Sequence, residues 1–96
     1  MISLLQEYQD FIKTTITTAL PTATIFIFGS RSTGQPKDFS DIDIAISDNT
    51  PIDPDTLRRL SDAFEFSRLP YKVDLIDLNN ISDDFRNIIT KDLQKL

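Results

Sequence analysis

Apolar positions along this chain switch between two regular spacings. Leu4, Tyr8, Phe11, Ile12, Ile16 and Ala19 recur every three or four residues up to Pro21, which lines one face of an α-helix. Ser3 followed by Gln6 is a capping-box pattern, so the first helix is expected over residues 3–20. Thr24-Ile25-Phe26-Ile27-Phe28 is a short β-branched and aromatic run without polar alternation. It predicts a strand buried on both faces, with Phe26 and Phe28 in the core. Residues 41–47 instead alternate with period two, so Ile42, Ile44 and Ile46 share one face and Asp41, Asp43 and Ala45 the other. After a turn through Asn49 and Pro51, Asp53 is expected to cap a helix starting at Pro54, with Leu57, Leu60 and Phe64 on its buried stripe. That helix ends before Pro70.

Tyr71–Leu78 reads as a third strand, Lys72, Asp74 and Ile76 facing one way and Val73, Leu75 and Asp77 the other. Ser82 is expected to cap a last helix that carries Phe85, Ile88, Ile89, Leu93 and Leu96 on one side and runs to the final residue. No internal repeat or low-complexity segment interrupts this order. With 96 residues, 40% of them hydrophobic and 26% charged, the expectation is one globular domain over residues 1–96.

Composition removes whole classes of chemistry. The chain has no His and no Cys, so it cannot run a Ser/His/Asp or Cys/His nucleophile or build an ordinary zinc site. Carboxylates, hydroxyls, Lys and Arg remain. A formal net charge of −5 argues against a protein that tracks long nucleic acid by its own electrostatics. Glu7 and Asp10 stand where a signal peptide needs a basic, then apolar, start, and no apolar run approaches the roughly 20 residues that span a bilayer. A soluble, cytoplasmic protein without membrane partners is expected.

Both glycines of the chain, Gly29 and Gly34, fall in the loop between the first two strands, together with Pro36. Backbone freedom is thus concentrated in one place. Gly29 ends a strand and Ser30 can cap a short helical turn closed by Gly34, which would aim free amides and a hydroxyl at an anion. After a ten-residue spacer from Ser30 come Asp41 and Asp43, on one face of the second strand. Two strand rises set them about 6–7 Å apart, where like charges repel by about 0.6 kcal/mol in water and about 2.5 kcal/mol at an effective dielectric near 20. Partly enclosed, such a pair calls for a cation. Without His or Cys ligands a hard ion is selected, and Mg²⁺ suits one or two carboxylates plus substrate phosphates.

Asp74, on the next strand, adds a third carboxylate able to orient or deprotonate an attacking hydroxyl and to share a second metal. Asp53 and Asp55 form another Asp-x-Asp, but at a helix start, where acids cap amides. Asp77 reads as a strand-end residue. The bland alternative for the loop has Ser30 capping, Arg31 paired with a surface acid, and Asp41 and Asp43 solvated on an edge strand.

Taken together, Ile27-Phe28-Gly29-Ser30-Arg31-Ser32-Thr33-Gly34, then Ser40-Asp41-Ile42-Asp43-Ile44-Ala45-Ile46, then Val73-Asp74-Leu75-Ile76-Asp77 resemble the minimal nucleotidyltransferases of the DNA polymerase β superfamily. The resemblance spans essentially the whole chain. It implies an α+β, polymerase β palm-like nucleotidyltransferase fold, a small mixed sheet of about three strands flanked by about four helices. It further implies that Gly29 and Ser30 hold the triphosphate of ATP, that Arg31 adds a phosphate contact, and that Asp41, Asp43 and Asp74 bind two Mg²⁺ ions. The reaction implied is attack of an acceptor hydroxyl on the α-phosphate, with release of pyrophosphate.

Small members of this type resemble the antitoxin half of modules whose toxin is a helical HEPN-domain ribonuclease, and the acceptor is then a tyrosine of that toxin. A second possibility is a catalytically silent antitoxin that neutralises its partner by surface contact alone. Asp41 as a phosphoryl-accepting nucleophile fits poorly, because the apolar run follows the Asp pair rather than preceding it. Transfer to a small molecule such as an aminoglycoside fits poorly too, since such enzymes carry a second domain.

Overall fold

The computed structural model describes residue 2, residues 4–29, residue 31 and residues 41–96. Its elements are α1 (Gln6–Ala19), β1 (Thr24–Phe28), β2 (Ile42–Ser47), α2 (Pro54–Glu65), β3 (Val73–Asp77), α3 (Asp83–Thr90) and β4 (Gln94–Lys95). The strands form one mixed sheet in the order β3-β2-β1-β4. β1 runs antiparallel to both β2 and β4, and β2 runs parallel to β3. The connection from β2 to β3 passes through α2, as a parallel pair requires a crossover. Among the described residues no helix is long and apolar enough to cross a membrane.

The core lies on one face of this sheet. Ile12 and Ile16 from α1 and Leu60 and Phe64 from α2 pack against Ile25, Ile27, Ile42, Ile44, Ile46 and Val73. Period two in β2 places its three isoleucines, all fully buried, toward these helices. Phe11 and Phe64 meet edge to face with ring centroids 6.1 Å apart, joining the two helices. The opposite face carries Phe26, Phe28, Asp43, Asp74 and Ile76, each only half-buried.

β1 is therefore not buried on both sides. It alternates between half-buried and buried positions, because the core helices cover one face, and Phe26 and Phe28 lie on the less covered one. The helix starts follow the predicted chemistry at two places. The Asp53 side chain accepts from Thr56 N–H at 3.3 Å, with Pro54 as first helical residue, and Ser82 Oγ accepts from Phe85 N–H at 3.1 Å. The first helix differs: Ser3 lies outside the described residues, α1 begins after Leu5 without a side-chain cap, and Gln6 donates to Asp10 instead.

The chain end also departs from expectation. The last helix stops at Thr90, a turn follows, and Gln94 and Lys95 pair with Ile27 and Phe26. Leu96 N–H donates to Ile25 C=O at 2.9 Å, and its side chain packs on the core. An outer edge of β1 without β4 would leave a row of ladder groups unpaired, and strand pairing there satisfies them where a longer helix could not. Four strands and three helices are thus seen among the described residues, while the turn expected after Ser30 lies outside them.

Candidate active site

Parallel pairing of β2 with β3, and antiparallel pairing of β2 with β1, bring three strand ends to one place, the head of the sheet. Phe28 stands opposite Asp43, and Asp43 opposite Asp74. Asp43 and Asp74 therefore sit side by side on one face, about 5 Å apart at the backbone. Asp41 is exposed just before β2 begins. Burial pushes the Asp43 carboxyl above its ordinary value, and the Asp74 and Asp41 charges push it further in the same direction. Lys72 Nζ lies 3.6 Å from Asp74 Oδ1 in a pair whose side chains are 72% and 44% exposed, a weak solvent-screened contact.

Gly29 is fitted to this cluster in two ways. Its φ of +75° is one that residues with a Cβ rarely adopt, and a Cβ built there would lie 2.5 Å from Asp43 Oδ2. Glycine thus lets the strand end turn sharply while the backbone closes directly on the carboxylate. Ser30, the second expected phosphate contact, lies outside the described residues, as do Gly34 and Pro36.

Arg31 does not lie at the surface, where the bland alternative for the loop expects it. It is buried, 6% exposed, with its guanidinium carbon 4.0 Å from the centre of the Tyr71 ring. A solvent-exposed surface ion pair is not its environment. Tyr71 in turn meets Tyr8 of α1 edge to face at 6.1 Å. Nothing in the helical or strand periodicity singles out Tyr71, and its partnership with Arg31 arises only once the sheet order is set.

Asp77 is also more than a strand-end residue. It is 4% exposed, and its carboxylate accepts from Ile52 N–H at 2.8 Å and Asn79 N–H at 2.9 Å. It clasps the approach to α2 against the end of β3, on the face opposite Asp74. The Asp-x-Asn spacing of an Asx turn was the available signal. Asp53 and Asp55 serve α2, the first as cap and the second in ion pairs with Arg58 and Arg59.

The donor set of Asp43, Asp74 and Asp41 is all oxygen, and the Asp43 carboxyl is raised first by burial and then by the two neighbouring carboxylates. Both properties fit a hard divalent cation. Among the described residues no three acidic side chains close into a cage that would hold a metal alone.

Comparison with known proteins agrees with this geometry. Residues 10–96 match the family model described as polymerase beta, nucleotidyltransferase. The Probable protein adenylyltransferase MntA of Haemophilus influenzae is 40% identical over 90 residues, covering 94% of this chain and 79% of that protein. A solved toxin–antitoxin structure with AMP-PNP contains a chain 28% identical, with a TM-score of 0.79, the match covering 95% of this chain and 72% of that one. The complex of tri-AMPylated Shewanella oneidensis HEPN toxin with MNT antitoxin gives 25% identity and a TM-score of 0.73, over 94% and 69% of the two chains. The strand-end carboxylates and the glycine closed against them thus belong to a chain of the polymerase beta nucleotidyltransferase family.

Proposed function

We propose that this protein is an adenylyltransferase antitoxin that moves AMP from ATP to a tyrosine hydroxyl of a HEPN-type toxin partner in the cytoplasm. The observation that carries the reading is the in-register pair Asp43 and Asp74, crowded with Asp41 at the point where Gly29 turns. Likeness to a protein named as an adenylyltransferase, and to complexes of antitoxin with AMPylated toxin, supports the acceptor class.

In this reading Asp41, Asp43 and Asp74 hold two Mg²⁺ ions. Bound there, the metal would supply Lewis-acid stabilisation of the charge that develops on the phosphate oxygens. Gly29 and Ser30 offer backbone amides to the triphosphate, and Arg31 secures the same turn. Asp74 orients the acceptor hydroxyl and takes its proton as the oxygen attacks the α-phosphorus. The bond from the α-phosphorus to the β-phosphate bridging oxygen breaks, and pyrophosphate leaves. The acceptor gains one phosphodiester bond to AMP. Adjacent strands fix the two main carboxylates more closely than loops would, and such pre-organisation is what in-line transfer needs.

The test mixes the purified protein with the product of its neighbouring gene, Mg²⁺ and ATP labelled on either the α- or the γ-phosphate. Label from the α but not the γ position should appear on the partner and be absent with Asp41→Ala. A stable complex with no label on the partner would overturn the catalytic reading and favour neutralisation by contact alone.

A further inference from the structure

Tyr71 has no place in the chemistry above, yet it touches the site's loop. It lies in the segment leading into β3, and its neighbour Lys72 accepts a hydrogen bond from Ile42 N–H at 2.8 Å through its backbone carbonyl. That bond ties the residue after Tyr71 to the first residue of β2, next to Asp41 and Asp43. From this anchored position the ring takes the Arg31 guanidinium on its face at 4.0 Å. Tyr8 of α1 braces the ring edge to face, its plane at 81° to that of Tyr71. Arg31 stands two residues beyond Gly29, whose backbone is closed on Asp43. The chain therefore leaves β1, turns at Gly29, and is fastened across the head of β2 onto a ring carried by the lead into β3.

We propose that Tyr71 is a positioning residue for the nucleotide: its ring holds Arg31, and through Arg31 the turn at Gly29 on which the triphosphate rests. The proposal rests on the assignment of that turn as the triphosphate site. A guanidinium stacked on a ring is held in one plane by the ring face, which a lysine ammonium or an unstacked arginine would not be. Loss of the ring face should thus loosen the turn and weaken binding of the ground-state nucleotide. The carboxylates that act on the reacting atoms stand on β2 and β3 and would stay in register.

The experiment compares wild type, Tyr71→Leu, Tyr71→Phe, Arg31→Met and the double variant Arg31→Met with Tyr71→Leu. Calorimetric binding of AMP-PNP with Mg²⁺ is measured alongside KM for ATP and kcat for transfer to the partner. Tyr71→Leu should raise both the AMP-PNP dissociation constant and KM by about 3- to 30-fold, the range of a desolvated cation–π contact, with kcat within about twofold. Tyr71→Phe, which keeps the ring face, should stay within about twofold of wild type. The double variant should bind no more weakly than Arg31→Met alone, because the ring acts only through the arginine.

Unchanged nucleotide affinity in Tyr71→Leu, a loss confined to kcat, or additive losses in the double variant would overturn the proposal. Equal impairment by Tyr71→Phe and Tyr71→Leu would do so too, by pointing to the hydroxyl. If Tyr71→Leu fails to melt cooperatively, Tyr71→Met takes its place with the same expectations. Failure of wild type itself to bind AMP-PNP would instead overturn the nucleotide-site reading, a separate and recognisable outcome.

Discussion

The two ends of the parallel pair β2 and β3 are both acidic, and they treat their acids in opposite ways. At the tail, Asp77 receives two backbone amides, and Asp48 accepts from Thr22 Oγ1 at 2.7 Å and Asn49 N–H at 2.8 Å. Those donors hold the Asp48 carboxyl below its ordinary value. At the head, Asp43 is pushed up by burial and by the neighbouring Asp74 and Asp41 charges. The same residue type thus closes the fold at one end and gathers in a partly buried cluster at the other. The contrast is between acids that hold the fold together and acids that the proposed function assigns to a cation with its phosphates.

Removing charge at the head should separate activity from stability most sharply. Asp43→Asn is expected to lower AMP transfer by at least about 10³-fold, since several kcal/mol of charge stabilisation depend on the site. In metal-free buffer its Tm should rise by about 2–4 °C, because a like-charge contact is relieved. Radiolabel transfer and calorimetry read the two effects. A fall in both would break the contrast.

The tail should answer in reverse. Asp77→Ala strands the amides of Ile52 and Asn79, at a cost of about 2–4 kcal/mol, or roughly 10–20 °C in Tm. Transfer per folded molecule, measured well below that Tm, should stay within about threefold. Gly29→Ala, by forcing a Cβ onto Asp43 Oδ2, should lower transfer by about 10- to 100-fold and cost about 1–3 kcal/mol, as read by the labelling assay and denaturant unfolding.

The smallest effect is a pH dependence of opposite sign at the two ends. Asp48 is lowered in the folded state, so its stabilisation is present above the unfolded pKa and fades as pH falls through the folded one. Asp43 is raised, so the fold gains from its protonation at low pH and loses that gain as pH rises from the ordinary carboxylate range through the folded value. Urea midpoints across acid pH should rise less steeply with increasing pH in Asp48→Asn than in wild type. In Asp43→Asn they should rise more steeply.

Much of this contrast was legible in the residues. Ile42, Ile44 and Ile46 fixed which face of β2 is buried and so which way Asp43 points, and Asp53 with Pro54 and Ser82 marked two helix starts correctly. The period-two alternation of residues 41–47 sets Asp43 on the face opposite those isoleucines, as the structure shows. What was hidden depended on partners far along the chain. Which residue lies beside Asp43 is decided by strand register, which no local period encodes. The burial of Arg31 on Tyr71 and the clasp made by Asp77 are likewise products of sheet order. A two-residue strand such as Gln94–Lys95 is too short for any alternation to register, and an apolar Leu93 and Leu96 at helical spacing looked like a continuing helix. Phe26 and Phe28 read as burial on both faces from their aromatic content alone, whereas the core helices cover only the other face of β1.

The central claim, that the head of the sheet is completed by a cation together with a triphosphate, is tested most directly by calorimetric melting of wild type and Asp43→Asn with Mg²⁺, with AMP-PNP, and with both. Wild type should gain about 10 °C or more with both ligands at a hundred times the dissociation constant, and much less with either alone. Asp43→Asn should start higher and barely move. A wild-type Tm indifferent to the pair, or an equal gain in Asp43→Asn, would contradict the account.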